Sequence, residues 1–357
     1  MTETLVIAGA RGFLAEHTFR GLKTLGITPV SVVDNDPRLW GDSAGNIKIV
    51  QPSEAVRDYP DAVYVTAVYN HTPLRRQLRE LGAVRVITYA ALFRQYPSVF
   101  LPYFALDLPS RLAENAIQIN AAAEIWADAE SRELYLALMQ WFKTLDSDAV
   151  PRPDSPAKMY FPGFLRLRPD EVFADCGAFD GDTLRQYLRA TKGQFSHVTC
   201  LEADPSNFEL LRNWARTLPQ KDRITLVHGA VTHDGKNVQF SASGDVAAHK
   251  VTDNGEAGQV ITVPGVRLDD LTPSPTFVKM DIEGSEMGAI QGGERLLRSG
   301  QTAWAMTLYH HLEDFWVIPL HFRSAAPQLK LFLRHYAEDY AETICYALPP
   351  DRVAKEP

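Results

Sequence analysis

Apolar and polar positions follow two rhythms along this chain. Short uninterrupted apolar runs give way to glycine turns, and these lead into longer stretches whose apolar residues recur at helical spacing. Uninterrupted runs predict strands buried on both faces, and their alternation with helices predicts parallel α/β sheets. In residues 1–100 strands are expected from Leu5 to Ala8, Pro29 to Asp34 and Ala62 to Val68, a small Rossmann-like domain. Residues 101–168 read as a helical bridge: Leu112, Ile117, Ile119, Ile125, Leu134, Leu136, Leu138, Met139, Trp141 and Phe142 are spaced for an apolar face. That stretch ends in a hinge at Pro151, Pro153 and Pro156, where proline bars helix.

From Pro169 onward the pattern is doubly wound. Strands are expected at Val172 to Cys176, up to Glu202, Ile224 to Val231, Phe277 to Ile282 and Ala303 to Tyr309. Leu329 to Tyr336 and Glu342 to Tyr346 read as a closing antiparallel pair. Ser206 is the expected N-cap of the helix from Asn207 to Thr217. After a D-G turn at Asp234 and Gly235, Asn237 to Ser241 should pair with Gln259 to Val263. The Gly-, Ser- and Asp-rich segment 241–258 is expected to be a flap over the site.

The 357 residues suit two domains, and a net charge of −8 without a polybasic run argues against nucleic acid or an anionic membrane as partner. Cys176, Cys200 and Cys345 are too scattered for a disulfide framework or a C-x-x-C pair, which points to the reducing cytoplasm. The first residues pass straight into a strand, so no secretory leader is expected, and no apolar run approaches the roughly 20 residues of a membrane span.

Chemistry concentrates at two glycine turns. Gly9 and Gly12 follow the first strand, with Asp34 ending the second. That turn is G-x-x-G rather than G-x-G-x-x-G, and no Tyr followed four residues later by Lys lies in this stretch, so hydride transfer is disfavoured there. A substrate-presenting or structural role fits better. The turn at Asp175, Gly177, Ala178, Gly181 and Thr183 is crowded with acid, since Asp180, Asp182, Glu202 and Asp204 should lie at its mouth. Carboxylates repel a pyrophosphate and suit a cation. S-adenosylmethionine, with a sulfonium, an ammonium and a ribose diol, is such a ligand. Asp175 would hold the ammonium directly or through water, Gly177 and Gly181 would admit the methionine portion, Glu202 with Ala203 would take the ribose, and Gly229 and Ala230 would approach the adenine.

The densest run is Lys279 to Glu286. Lys279 and Asp281 should share one strand face, with Asp281 at the carboxyl end where open sheets bind ligands. Lys279 and Glu283 read as an ion pair. His310 and His311, at the end of the next strand, are the candidate bases for a hydroxyl proton, with Asp281 next. Asp281, Glu283 and a histidine are also the residue types that bind a hard cation such as Mg²⁺, but no metal-ligand set is assigned.

The motifs D-C-G-A-F-D-G-D-T from Asp175, L-E-A-D-P-S-N-F from Leu201, H-G-A-V from His228, R-L-D-D-L from Arg267 ahead of V-K-M-D-I-E-G-S-E from Val278, and L-Y-H-H-L-E-D-F from Leu308 occur in that order. Over about residues 160 to 348 the chain resembles FkbM-type S-adenosylmethionine-dependent methyltransferases. The resemblance implies a class I fold of seven strands in 169–357 and O-methylation of a sugar, glycan or secondary-metabolite hydroxyl. It puts Asp175, Gly177, Ala178 and Gly181 against the methionine part, Glu202 on the ribose, Ala230 near the adenine and Asp281 beside the methyl. The alternative is a non-catalytic sugar-nucleotide or cofactor-binding scaffold with a vestigial pocket. Expected partners are a small-molecule or glycan acceptor and, as an open option, a second copy in a homodimer.

Overall fold

The computed structural model describes residues 3–242 and 259–354. The flap expectation for 241–258 falls almost wholly outside the described residues. The chain divides into two compact units: one of Met1–Glu114, Leu138–Arg152 and Ala337–Ala341, the other of Asn115–Ala137, Pro153–Tyr336 and Glu342–Pro357.

The first unit is built on a sheet of β1 (Leu5–Ala8), β2 (Ser31–Val33), β3 (Ser43–Ala44), β4 (Ile47–Val50), β5 (Val63–Thr66) and β6 (Arg85–Thr88), in the order β3-β4-β2-β1-β5-β6. All pairings are parallel except that of β3 with β4. Val6, Ala8, Val33, Tyr64 and Leu78 form part of its core. Residues 337–341 join this unit because buried His71 is held between Asp339 at 2.7 Å and Glu338 at 3.1 Å, and Tyr340 packs on Trp141 and Phe142.

The expected bridge is not a separate body, since 101–168 is shared between the units. In its helix Ala129–Thr144 the buried residues are Ser131, Leu134, Tyr135, Leu138, Met139, Trp141 and Phe142, a face at i, i+3, i+4 and i+7. Leu136, two positions from both Leu134 and Leu138, falls on the opposite side and is exposed, as is Ile117. The helix ends at Leu145, whose φ of 58° is left-handed.

The second unit carries β7 (Val172–Cys176), β8 (His197–Glu202), β9 (Ile224–His228), β10 (Ala230–Val231), β11 (Val238–Ala242), β12 (Gln259–Val263), β13 (Gly265–Val266), β14 (Phe277–Met280), β15 (Ala303–Thr307), β16 (Lys330–His335) and β17 (Thr343–Leu348). Its main sheet has seven strands in the order β16-β17-β15-β14-β7-β8-β9, with β17 antiparallel to both neighbours. This is the doubly wound arrangement expected, with its reversal of strand order between β7 and β14. β11 and β12 pair antiparallel, Val238 opposite Val263. Two details differ from the sequence reading. β9 stops at His228 because Ala230 and Val231 leave the sheet to pair with Gly265 and Val266. The helix after β8 is capped by Asp204, not Ser206: the Asp204 carboxylate accepts from the Ser206 and Asn207 amides, and Pro205 fills the first helical position.

At the end of the sheet away from the glycine turn, Arg352 and Glu171 are both fully buried and 2.5 Å apart. Arg352 also donates to the carbonyls of Arg166 at 2.8 Å and Thr276 at 3.3 Å, and the Thr276 hydroxyl bonds Glu171, so the carboxyl-terminal turn is fastened to the starts of β7 and β14. Removing one partner of such a pair strands the other charge in the interior, at a cost of about 3–5 kcal/mol. Arg352→Met is therefore expected to lower unfolding free energy in urea by about that amount. A loss below about 1 kcal/mol, the range of an exposed pair, would refute this account.

Candidate active site

A cavity of about 500 Å³ opens at the carboxyl ends of β7, β8, β9 and β14, lined wholly by residues of the second unit. Of the residues singled out from sequence, Gly177, Thr183, Glu202, Ala203, Gly229, Ala230 and Asp281 line it. Asp175, Ala178, Gly181, His310 and His311 are not among its lining residues. Tyr160, Phe179, Asp182, Asp204, Lys279, Glu283 and Glu342 are.

The floor is set where β7 meets β14. Lys279 lies beside Asp175 in the parallel register, its ammonium 3.2 Å from Asp175 Oδ1, and both side chains are buried. Lys279 Nζ also donates to the carbonyls of Gly177 at 2.6 Å and Cys176 at 3.3 Å. Lys279 is thus paired with Asp175 rather than with Glu283, which lies beyond the strand end and faces His310. Burial pushes the Asp175 carboxyl up to about 6 against the pull of Lys279. Burial alone would lower Lys279, yet Asp175, Asp281 and Asp182 hold it above its ordinary value. Asp175 is therefore a wall residue under the turn, without the exposed oxygen that direct contact with a bound ammonium would need. Gly177, with φ 77°, is obligatory: a Cβ there would sit 1.8 Å from the Asp281 carbonyl oxygen.

Glu202 lines the cavity at the end of β8. Its Oε2 accepts from the Phe179 amide at 2.7 Å and its Oε1 from the Asp204 amide at 2.8 Å, which fixes the carboxylate plane and leaves each oxygen a further lone pair toward the cavity. The amides of Gly229 and Ala230 are already committed to Glu202 O and Pro264 O, so these residues offer contact surface rather than donors. Asp180 is turned aside into an ion pair with Arg185 at 2.8 Å.

Opposite stands Asp281. The Tyr160 hydroxyl donates to its Oδ2 at 2.8 Å, and its Oδ1 lies 3.5 Å from the Tyr309 hydroxyl and 3.6 Å from His310 Nε2. His310 Nδ1 meets Glu286 Oε1 at 2.9 Å, while Nε2 is 3.5 Å from Glu283. Burial opposes a charge on His310, but Glu286, Asp281 and Glu283 outweigh it and raise the imidazole to about 10. At neutral pH His310 is an imidazolium, so it reinforces Asp281 instead of taking a proton itself. His311 is turned to the Gly284 carbonyl, its Nε2 3.2 Å away. Burial and the Asp281 charge push Glu283 and Glu342 each to about 7, with His310 opposing.

Among the described residues Asp281, Glu286 and His310 bring ligand-type atoms within 4.8 Å of one another. Glu286 Oε1 is, however, also bonded to the Ile282 amide and the Thr307 hydroxyl, and the imidazolium already supplies positive charge. The group reads as an ion-paired hydrogen-bond network. Tyr160, Phe179, Glu283 and Glu342 all have positive φ, between 47° and 65°, and strained backbone of this kind gathers at functional sites. Phe179 and Glu283 lie inside motifs visible in the sequence. Tyr160 and Glu342 carry no local signal, because each reaches the site through contacts far along the chain.

Residues 175–340 match the model of the methyltransferase FkbM domain. Of the solved structures, an FkbM methyltransferase from Methylobacillus flagellatus KT is similar at 23% identity and a TM-score of 0.77, over 96% of this chain and 89% of that one. The precorrin-6y C5,15-methyltransferase from Geobacter metallireducens GS-15 is similar at 16% identity and a TM-score of 0.33, over 52% and 83% of the two chains. The fibrillarin of Aeropyrum pernix, with natively bound S-adenosyl-L-methionine, is similar at 10% identity and a TM-score of 0.33, over 54% and 73%. None of the curated proteins matches. With a class I sheet, an acid-lined cavity at its switch point and the domain match over the motifs that build that cavity, the chain carries an FkbM methyltransferase domain and is a methyltransferase that uses S-adenosylmethionine.

Proposed function

We propose that the protein transfers the methyl group to a hydroxyl of an uncharged, hydroxyl-rich acceptor, a sugar or glycan unit. The observation that carries this reading is Asp281, a cavity-lining carboxylate held by Tyr160 and backed by His310. S-adenosylmethionine supplies a methyl on an excellent leaving group, so the protein's share is alignment, exclusion of water and a place for the hydroxyl proton. Asp281 takes that proton, and the imidazolium of His310 and the Tyr160 hydroxyl hold its carboxylate in place. Glu202 binds the ribose diol, with the acids of the donor side favouring the cationic methionine portion.

Six carboxylates line the cavity, Asp182, Glu202, Asp204, Asp281, Glu283 and Glu342, and the one lysine among the lining residues, Lys279, is committed to Asp175. Such a wall repels phosphate or carboxylate on the acceptor and offers acceptors to sugar hydroxyls. It would also keep an amine protonated and unable to attack, which favours oxygen over nitrogen as nucleophile. This reading assigns no divalent cation, since Glu286 is already bonded to His310, the Ile282 amide and the Thr307 hydroxyl. Among the described residues no helix is long and apolar enough to cross a membrane. Three buried free cysteines are consistent with a reducing cytoplasm.

Glu202→Gln should weaken S-adenosylhomocysteine binding in calorimetry by about tenfold or more, the loss of one charged hydrogen-bond acceptor. An unchanged Kd would remove Glu202 from the donor site. With radiolabelled methyl donor, a panel of acceptors should be labelled for neutral glycosides ahead of uronates and sugar phosphates, equally with magnesium and with EDTA. Preference for the anionic members, or dependence on magnesium, would overturn the acceptor assignment. Glu283 and Glu342 are protonated below about 7 and ionised above it, and ionised carboxylates are the stronger acceptors for the hydroxyls of a bound sugar. Transfer rate should therefore rise through about pH 7, and in Glu283→Gln the remaining limb, that of Glu342, should move to lower pH because a like charge is gone. A flat profile from about pH 6 to 8 would count against this arrangement.

A further inference from the structure

Tyr160 precedes the segment matched by the methyltransferase domain and stands 121 residues from Asp281, yet its hydroxyl is 2.8 Å from Asp281 Oδ2. Every part of it is fixed. The side chain is 2% exposed, and the ring lies over the Lys279 ammonium, 5.2 Å from the centroid. Its amide donates to the Tyr346 hydroxyl at 3.1 Å, and that hydroxyl lies 2.6 Å from the hydroxyl of Tyr336. Its φ of 65° is a conformation that residues with side chains seldom adopt. Resting on the proposed methyl transfer to a hydroxyl, we infer that Tyr160 is a positioning residue for Asp281: it fixes the plane of the carboxylate through Oδ2 and so sets how the carboxylate meets the acceptor hydroxyl.

The groups around Asp281 explain why such a donor is needed. Tyr309 and His310 approach Oδ1, while Glu283 and Glu342 stand near enough for the Asp281 charge to raise both, so a carboxylate at 281 is held among acids that repel it. A hydroxyl hydrogen bond to the charged form favours that form, and it sets which oxygen is engaged and which faces the cavity. Tyr160 itself cannot be the base. Burial and then the Asp281 charge hold its phenol well above the ordinary value, so it stays a neutral donor.

The test is Tyr160→Phe, which keeps the ring over Lys279 and removes the hydroxyl. S-adenosylhomocysteine affinity by calorimetry should stay within about twofold, showing fold and donor pocket intact. With aspartate labelled by carbon-13 at the side-chain carboxyl, and the Asp281 resonance assigned through Asp281→Asn, the Asp281 midpoint should rise by about one pH unit. Replacing Tyr160 with 3-fluorotyrosine, a stronger donor of nearly the same shape, should lower it. A midpoint unmoved in both proteins overturns the inference and leaves Tyr160 a packing residue. These measurements need no acceptor, so they stand apart from the outcome of the glycoside panel. With an acceptor from that panel, Tyr160→Phe should lower kcat about tenfold and leave the acceptor KM within about twofold, whereas a KM change with kcat unaltered would assign Tyr160 to acceptor binding.

Discussion

The catalytic end of this molecule depends on a lysine buried beneath a wall of carboxylates. Lys279 is charged, 2% exposed and engaged by Asp175 and by two carbonyls of the glycine turn. A buried ammonium is tolerable only when its bonds are satisfied. Here the partners that satisfy it are Asp175 and the glycine turn at the edge of the cavity. The same bonds draw the turn against the end of β14, where the Asp281 carbonyl would be 1.8 Å from any Cβ at position 177. Donor loop and candidate base are therefore one rigid assembly, and neither can shift without breaking the pair.

That assembly also orders the charges around Asp281. Asp281, Glu283, Glu286 and Glu342 converge on a small volume, and repulsion among them would neutralise some or unfold the loop unless cations stood close. Lys279 does this from below and His310 from the side. His310 is the more consequential, because three carboxylates around one imidazole make it an imidazolium. A histidine in that state orients a base better than it serves as one.

What could be read from sequence was what is local. The strands, the glycine turn and the acid at the end of β8 show in a single window, because each is set by the residue types of consecutive positions. The fate of a charged side chain is set by its neighbours across the sheet. By sequence Lys279 pairs with Glu283, four positions on, whereas the register of β14 on β7 sets it against Asp175. His310 and His311 are adjacent in sequence, yet one faces three carboxylates and the other a backbone carbonyl. Tyr160 and Glu342 bracket the matched domain and reach the site through left-handed backbone, which no periodicity announces.

The two glycine turns of the chain use one device to different ends. In the first unit Asp34, at the end of β2, accepts from the Ala10 amide of the turn at 2.9 Å and from the Asp36 amide at 2.9 Å. In the second, Glu202 at the end of β8 accepts from the Phe179 amide of the turn and from the Asp204 amide. The backbone logic is shared, so it cannot be what selects a donor. Charge balance is what differs. Around Asp34, Asp36 is matched by Arg38 and Asp42 lies 3.8 Å from Arg11. Around Glu202, Asp182 and Asp204 also line the cavity, and the lysine among its lining residues is drawn down to Asp175. A strand-end acid on a glycine turn is a scaffold that many nucleotide-type folds can build. It becomes a site for a sulfonium donor only where the acids around it are left without a cation of their own.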